Sequence, residues 1–207
     1  TNGNKWMRLM HALIVIPHAN PDSLTHAIAA RVAEGIVLGD PTATWELGDL
    51  HAEGFDPVFN AADIAYFEKR AGAPADVVAE HARLDRAQAL VLVYPIYWWS
   101  FPALLKGWID RVFSNGWAYE ENPDGKVIKK LQHLRVHLVA VGGADAGMIE
   151  RHGYGTAMST QIDHGIFDYC GAPVVSSTRL LASDPGYPAA LLDSALAIGK
   201  RIPHLTE

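Results

Sequence analysis

Cysteine is almost missing from the chain: Cys170 is the only one in 207 residues. No internal disulfide can form, and a reducing cytoplasm is the expected compartment. Among apolar neighbours that thiol reads as an inert packed group. No apolar run approaches the ~20 residues that cross a bilayer, so stable membrane insertion is not expected. Basic tracts are lacking too. Lys and Arg number 17 against 23 Asp and Glu, a net charge of −6, and the nearest approach to a cluster is three lysines between Lys126 and Lys130. Nucleic acid and anionic lipid are therefore not expected as partners. The ten histidines are scattered, with no HExxH and no Cys partner, which leaves no metal site to predict. A Gly-x-Ser-x-Gly elbow is absent, so a hydrolase triad has no nucleophile. Gly-rich dinucleotide and P-loop fingerprints are also absent. Any reaction must then be carried by a cofactor.

What is present centres on residues 90–113. Leu90-Val91-Leu92-Val93 is an unbroken apolar run, the mark of a strand buried on both faces. Pro95 cannot donate to a ladder and ends it. Pro102 opens a helix on which Leu104, Leu105, Trp108, Ile109, Val112 and Phe113 recur at helical spacing. Between strand and helix lie Tyr97, Trp98 and Trp99, at the carboxyl end of a central strand, where open α/β sheets bind ligands. Adjacent tryptophans on an extended loop cannot both face one core, so at least one should face a flat aromatic ligand. Lys106, Asp110 and Arg111 read as structural helix residues.

Residues 1–10 lack a signal peptide's apolar core and read as an unstructured leader or cloning remnant. Residues 11–16 predict the first strand, followed by Asp22 or Ser23 as the cap of a helix. Strands are expected at 42–47, 134–141 and 173–179, with helices at 61–70, 75–87, 188–200 and from His152 to about Cys170. Asn122-Pro123-Asp124-Gly125 signals a projecting hairpin. Residues 11–204 thus predict one doubly wound α/β domain, with five parallel strands in the order 2-1-3-4-5. Two strand ends carry candidate ligand features. Unpaired N–H groups at the first helix can hold a phosphate or be simply capped. Gly142-Gly143 can admit a planar ring or be a plain turn.

The run PIYWWSFPALLKGWIDRVF closely resembles the flavin-binding loop and following helix of the NAD(P)H:quinone oxidoreductases with a flavodoxin-like fold, and the likeness extends from about His11 to Gly199. The resemblance implies FAD, with FMN as the alternative, and NADPH or NADH as the reductant. It implies two-electron reduction of quinones by ping-pong hydride transfer through flavin N5, in a homodimer. By the same resemblance His18, Ser23, Leu24 and Thr25 hold phosphate, and Pro95, Ile96, Tyr97, Trp98, Trp99, Gly142 and Gly143 hold the ring. Gly143 is also expected to stabilise charge beside N1 and O2. Mammalian members use a Tyr and a His in proton handling, and Tyr154 and His152 are the nearby residues of those types. Relatives that gate potassium-efflux systems, and one-electron flavodoxin-type carriers, supply the alternative readings.

Overall fold

The computed structural model describes residues 9–205. Seven strands and seven α-helices follow one another as β1 (His11–Ile16), α1 (Leu24–Gly39), β2 (Thr44–Asp49), α2 (Ala61–Phe67), α3 (Ala75–Arg86), β3 (Ala89–Pro95), α4 (Ala103–Val112), β4 (Tyr119–Glu121), β5 (Val127–Lys129), β6 (Arg135–Gly142), α5 (Ala146–Arg151), α6 (Tyr154–Ser159), β7 (Val174–Leu181) and α7 (Ala189–Arg201). The five parallel strands lie in the order β2-β1-β3-β6-β7, which is 2-1-3-4-5 of the core. β4 and β5 form a separate antiparallel pair, the expected hairpin around Asn122–Gly125.

The sheet is buried on both faces because its central strands are apolar along most of their length, His137 of β6 being a buried polar exception. Leu13, Val15, Leu90, Leu92 and Tyr94 face a cluster with Leu84 of α3, Trp108 and Val112 of α4, and Phe167. Ile14, Ile16, Val91 and Val93 face the other, with Ile28, Val32 and Ile36 of α1 and Leu191, Ala195 and Ile198 of α7. That division follows the period of two along each strand. Helices α1 and α7 approach backbone to backbone. A Cβ added at Gly35 would strike the Leu196 carbonyl, and one at Gly199 the Val32 carbonyl. On the opposite face Gly107 of α4 leaves room only for Pro57, which seats the loop before α2 on α4. Arg111 secures the same junction by reaching Asp63, Asp76 and the Asp56 carbonyl.

The expected boundaries move in places where burial is incomplete. β2 runs two residues later than residues 42–47, since it is an edge strand with Trp45 and Leu47 exposed. Helix α5 is additional, capped by Asp145, whose carboxylate accepts from the Met148 N–H at 2.8 Å. The helix expected from His152 starts at Tyr154 and continues as a π-helix over Thr160–Asp168. Residues 1–8 of the expected leader lie outside the described residues, and Met10, at its end, is buried in the core. Trp108 is also fully buried, whereas Trp117 is half-buried and stacks on His81.

Candidate functional site

Parallel strands leave all their carboxyl ends on one edge, and the loops after β1, β3 and β6 therefore stand side by side there. The loop after β1 turns into α1 at Ser23. Its hydroxyl oxygen accepts from the His26 N–H at 3.2 Å, a side-chain cap. The next two N–H groups, of Leu24 and Thr25, have no partner among the described residues, as the first turn of any helix requires. Thr25 is only 3% exposed, and its hydroxyl has no hydrogen-bond partner there either. Asn20 donates its N–H to His18 Nδ1 at 3.1 Å, so a neutral His18 ring carries its proton on Nε2. Four donors thus converge on the start of α1, whose first turn holds no acidic residue.

After β3 the chain does not continue as an extended loop. Tyr97 and Ser100 exchange backbone hydrogen bonds at 3.2 and 3.0 Å, closing a two-residue turn. Trp98 and Trp99 occupy its centre with φ of 48° and 59°. Positive φ at both central positions is the demand of a type I′ turn, which Asn-Gly ordinarily meets. Tryptophan there is strained, and such strain gathers at functional sites. The turn is tied down by Ser100 Oγ, which donates to Gln161 Oε1 on the π-helix at 2.5 Å. Trp98 is 93% exposed, whereas Trp99 lies flat on Tyr154, with ring centroids 3.7 Å apart.

Across from this turn the β6 strand ends in Gly142-Gly143. Ile96, Trp98, Trp99, Gly142, Gly143, Ala144 and Ile149 enclose a slot of about 140 Å³. A Cβ at Gly143 would meet nothing within 4 Å, so that residue opens onto free space. The N–H groups of Trp98, Trp99 and Gly143 have no partners among the described residues. A planar ring with a polar edge fits a slot so lined, and a phosphate fits the donors of α1.

Of the residues expected to hold a ring, Ile96, Trp98, Trp99, Gly142 and Gly143 are brought together. Pro95 ends β3 and Tyr97 closes the turn, but neither lines the slot. Tyr154 is the second ring of a stack that begins at Trp99, and His152 is the third, at 5.3 Å from Tyr154. His152 therefore stands further from the slot than Tyr154. Ala144, in the loop after β6, and Ile149, on the additional helix α5, line the slot as well, although neither was among the residues expected to hold the ring. Two further residues were missed behind the phosphate donors. His26 Nδ1 lies 2.8 Å from Ser23 Oγ, and His26 Nε2 lies 3.0 Å from Asp49 Oδ2 at the end of β2. Burial acts to raise the Asp49 pKa. Hydrogen bonds from His26 and the Ala52 N–H outweigh it and hold the carboxyl below its usual range. The helical spacing of Ser23 and His26 was visible in sequence, but the contact with Asp49 was not.

The family follows from this frame and the residues that fill it. The chain belongs to the family of the Flavodoxin-like fold. Residues 10–200 match that family's model. An uncharacterised NAD(P)H oxidoreductase of Haemophilus influenzae is 28% identical over 78% of this chain and 79% of its own length. NAD(P)H dehydrogenase (quinone) 1 of Rattus norvegicus is 28% identical over 82% of this chain and 68% of its own. Among solved structures, an NAD(P)H:quinone oxidoreductase from Methanothermobacter marburgensis superposes with a TM-score of 0.80 at 24% identity, covering 96% of this chain and all of that one. Among the described residues no group of three or more His, Cys, Asp or Glu could hold a metal ion. No helix of the described chain is long and apolar enough to cross a membrane.

Proposed function

We propose that the protein is a flavin-dependent NAD(P)H:quinone oxidoreductase of the cytoplasm. The observation that carries this reading is the slot between the Trp98-Trp99 turn and Gly143, with phosphate donors at the start of α1 on the same sheet edge. The relatives named above are of the same enzyme type. When bound, the flavin would accept a hydride from the nicotinamide and pass it to the quinone, the two substrates using one place in turn. The chain's own groups bind, orient and shield. The Leu24 and Thr25 N–H groups, the Ser23 hydroxyl and His18 Nε2–H hold phosphate. The N–H groups of Trp98, Trp99 and Gly143 offer hydrogen bonds to negative charge at the ring edge. The strained turn fixes one wall of the slot, so little reorganisation accompanies the reaction. Tyr154, stacked behind Trp99, is the group nearest the slot that can hold or move a proton.

FAD is the favoured cofactor. The reading rests on the length of the chain and on the Asp49–Val58 connection, which resemble those of the FAD-using members of the family. A homodimer is part of the proposal. Val58, Phe59, Ile64 and Phe67 are 62, 46, 45 and 50% exposed, at and before α2, and exposed apolar groups concentrated in this way mark contact surfaces. Light scattering should return twice the 22.5 kDa chain mass, and Phe59→Glu should halve it. For the activity, heat-released flavin is identified by chromatography while menadione reduction by NADPH and NADH is followed. A protein that takes up neither FAD nor FMN would end the reading.

A further inference from the structure

We infer that His26 is a positioning residue that aims the Ser23 hydroxyl at the cofactor's phosphate by taking up a proton when the cofactor binds. This rests on the proposed phosphate site at the start of α1. The hydrogen bonds define the direction of every proton in the chain Ser23–His26–Asp49. Asp49 is an acceptor on both oxygens, taking the Ala52 N–H on Oδ1 at 3.1 Å and His26 Nε2 on Oδ2 at 3.0 Å. A carboxylate only accepts, so Nε2 must carry hydrogen whatever the charge of the ring. The charge is then decided at Nδ1, which faces Ser23 Oγ at 2.8 Å.

In the neutral ring Nδ1 is a lone pair, and the Ser23 hydroxyl donates to it. That hydroxyl oxygen meanwhile accepts the His26 N–H, so its hydrogen is spent inside the protein. It can offer nothing to an anion except repulsion between lone pairs. In the protonated ring Nδ1–H donates to Oγ instead. Both lone pairs are then occupied, and the hydroxyl hydrogen is released to point outward. The one added proton thus converts Ser23 from an acceptor closed against phosphate into a donor. It also places a positive charge one residue-width behind the site.

The surroundings suit this exchange. The side chains of His26 and Asp49 are 15% and 18% exposed, so water competes weakly for either nitrogen. The titratable groups facing the ring are Asp49 from β2 and His18 and Asp22 from the loop after β1. His18 stands edge-on, with ring centroids 6.1 Å apart. The first turn of α1 contributes no acidic group, and Ala27 and Ala30 fill the rest of that side. No other charge lies against the ring among the described residues.

The test is calorimetric titration of the flavin-free protein with FAD and FMN, in buffers of different ionisation enthalpy. The difference in heat counts the protons taken up, independently of turnover. Binding should take up between a fraction of a proton and one. Riboflavin, which has no phosphate, should bind without uptake. His26→Gln should bind both cofactors more weakly and without uptake, and Asp49→Asn should reduce it, whereas His18→Gln should keep it. Flavin binding with no uptake from pH 6 to 9, or undiminished uptake in His26→Gln, overturns the inference and leaves the flavin reading standing. A protein that binds no flavin removes both.

Discussion

The indole of Trp99 and the phenol of Tyr154 lie face to face, 3.7 Å between centroids and within 9° of parallel. One ring belongs to the turn after β3, the other to the first residue of α6. Together with the hydrogen bond from Ser100 to Gln161, the stack fastens the turn after β3 to α6 and the π-helix that continues it. Stacked aromatic pairs contribute about 1 kcal/mol beyond the area they bury.

Tyr154 can therefore be divided into a stacking half and a hydroxyl half. Tyr154→Phe keeps the ring and should retain flavin while slowing quinone turnover about a hundredfold or more, the ordinary scale of a lost proton donor. Tyr154→Ala should lose flavin as well. Equal flavin loss in both variants would show that the hydroxyl, not the ring, secures the cofactor.

Trp98 should trade stability for function. It is 93% exposed, so burial contributes almost nothing to hold its φ of 48°. A left-handed conformation costs an L-residue about 1–2 kcal/mol, which glycine avoids. Trp98→Gly should raise the unfolding free energy by about 1 kcal/mol and depress turnover. A variant that is less stable than the parent would mean that the turn is not strained.

Gly143 gives the sharpest separation of ligand space from folding. Its φ is not in the left-handed region, and a side chain there would meet no neighbour within 4 Å. Gly143→Val should therefore change stability by less than about 1 kcal/mol. Flavin content and turnover should collapse, by more than the hundredfold expected for one lost donor to a developing charge. Normal flavin content in this variant would mark the glycine as a plain turn residue.

His137 should shape the acid limb of stability. It is fully buried in β6, with Nδ1 bonded to Ser176 Oγ at 2.8 Å and Nε2 without a partner among the described residues. Burial lowers its pKa from 6.5 to about 4. Between those values the unfolded chain binds the proton and the folded one does not. Stability therefore falls with falling pH, beginning near 6.5, and by about 3 kcal/mol once pH drops below 4. Urea melts from pH 7 to 4 should show this loss, and His137→Gln should abolish that component. An identical pH slope in the variant would assign the loss to other groups.

Burial explains which parts could be read from sequence. β1 was expected at residues 11–16 and lies there, because five of its six side chains are buried and the apolar run has sharp ends. β2 was displaced, because Trp45 and Leu47 on an open edge look apolar without being interior. The segment proposed to hold the ring stood out through Trp98 and Trp99, yet their turn was not legible, since I′ turns are recognised by Asn and Gly. Asp49 was hidden for another reason. Its partner His26 is 23 positions away, and only the pairing of β1 with β2 brings the two together.

The glycine contact between α1 and α7 reaches further than packing. Backbone against backbone, with no side chain to flex between, leaves α1 no freedom to slide along its axis or roll about it. The far end of α1 is Ser23, so α7 acts as the bench on which the proposed phosphate donors are aligned, without contributing an atom to them. A methyl group at Gly199 would strike Val32 and Gly35, which stand 9 and 12 residues along α1 from Ser23, and would thus push the cap out of true from well away from the proposed phosphate site.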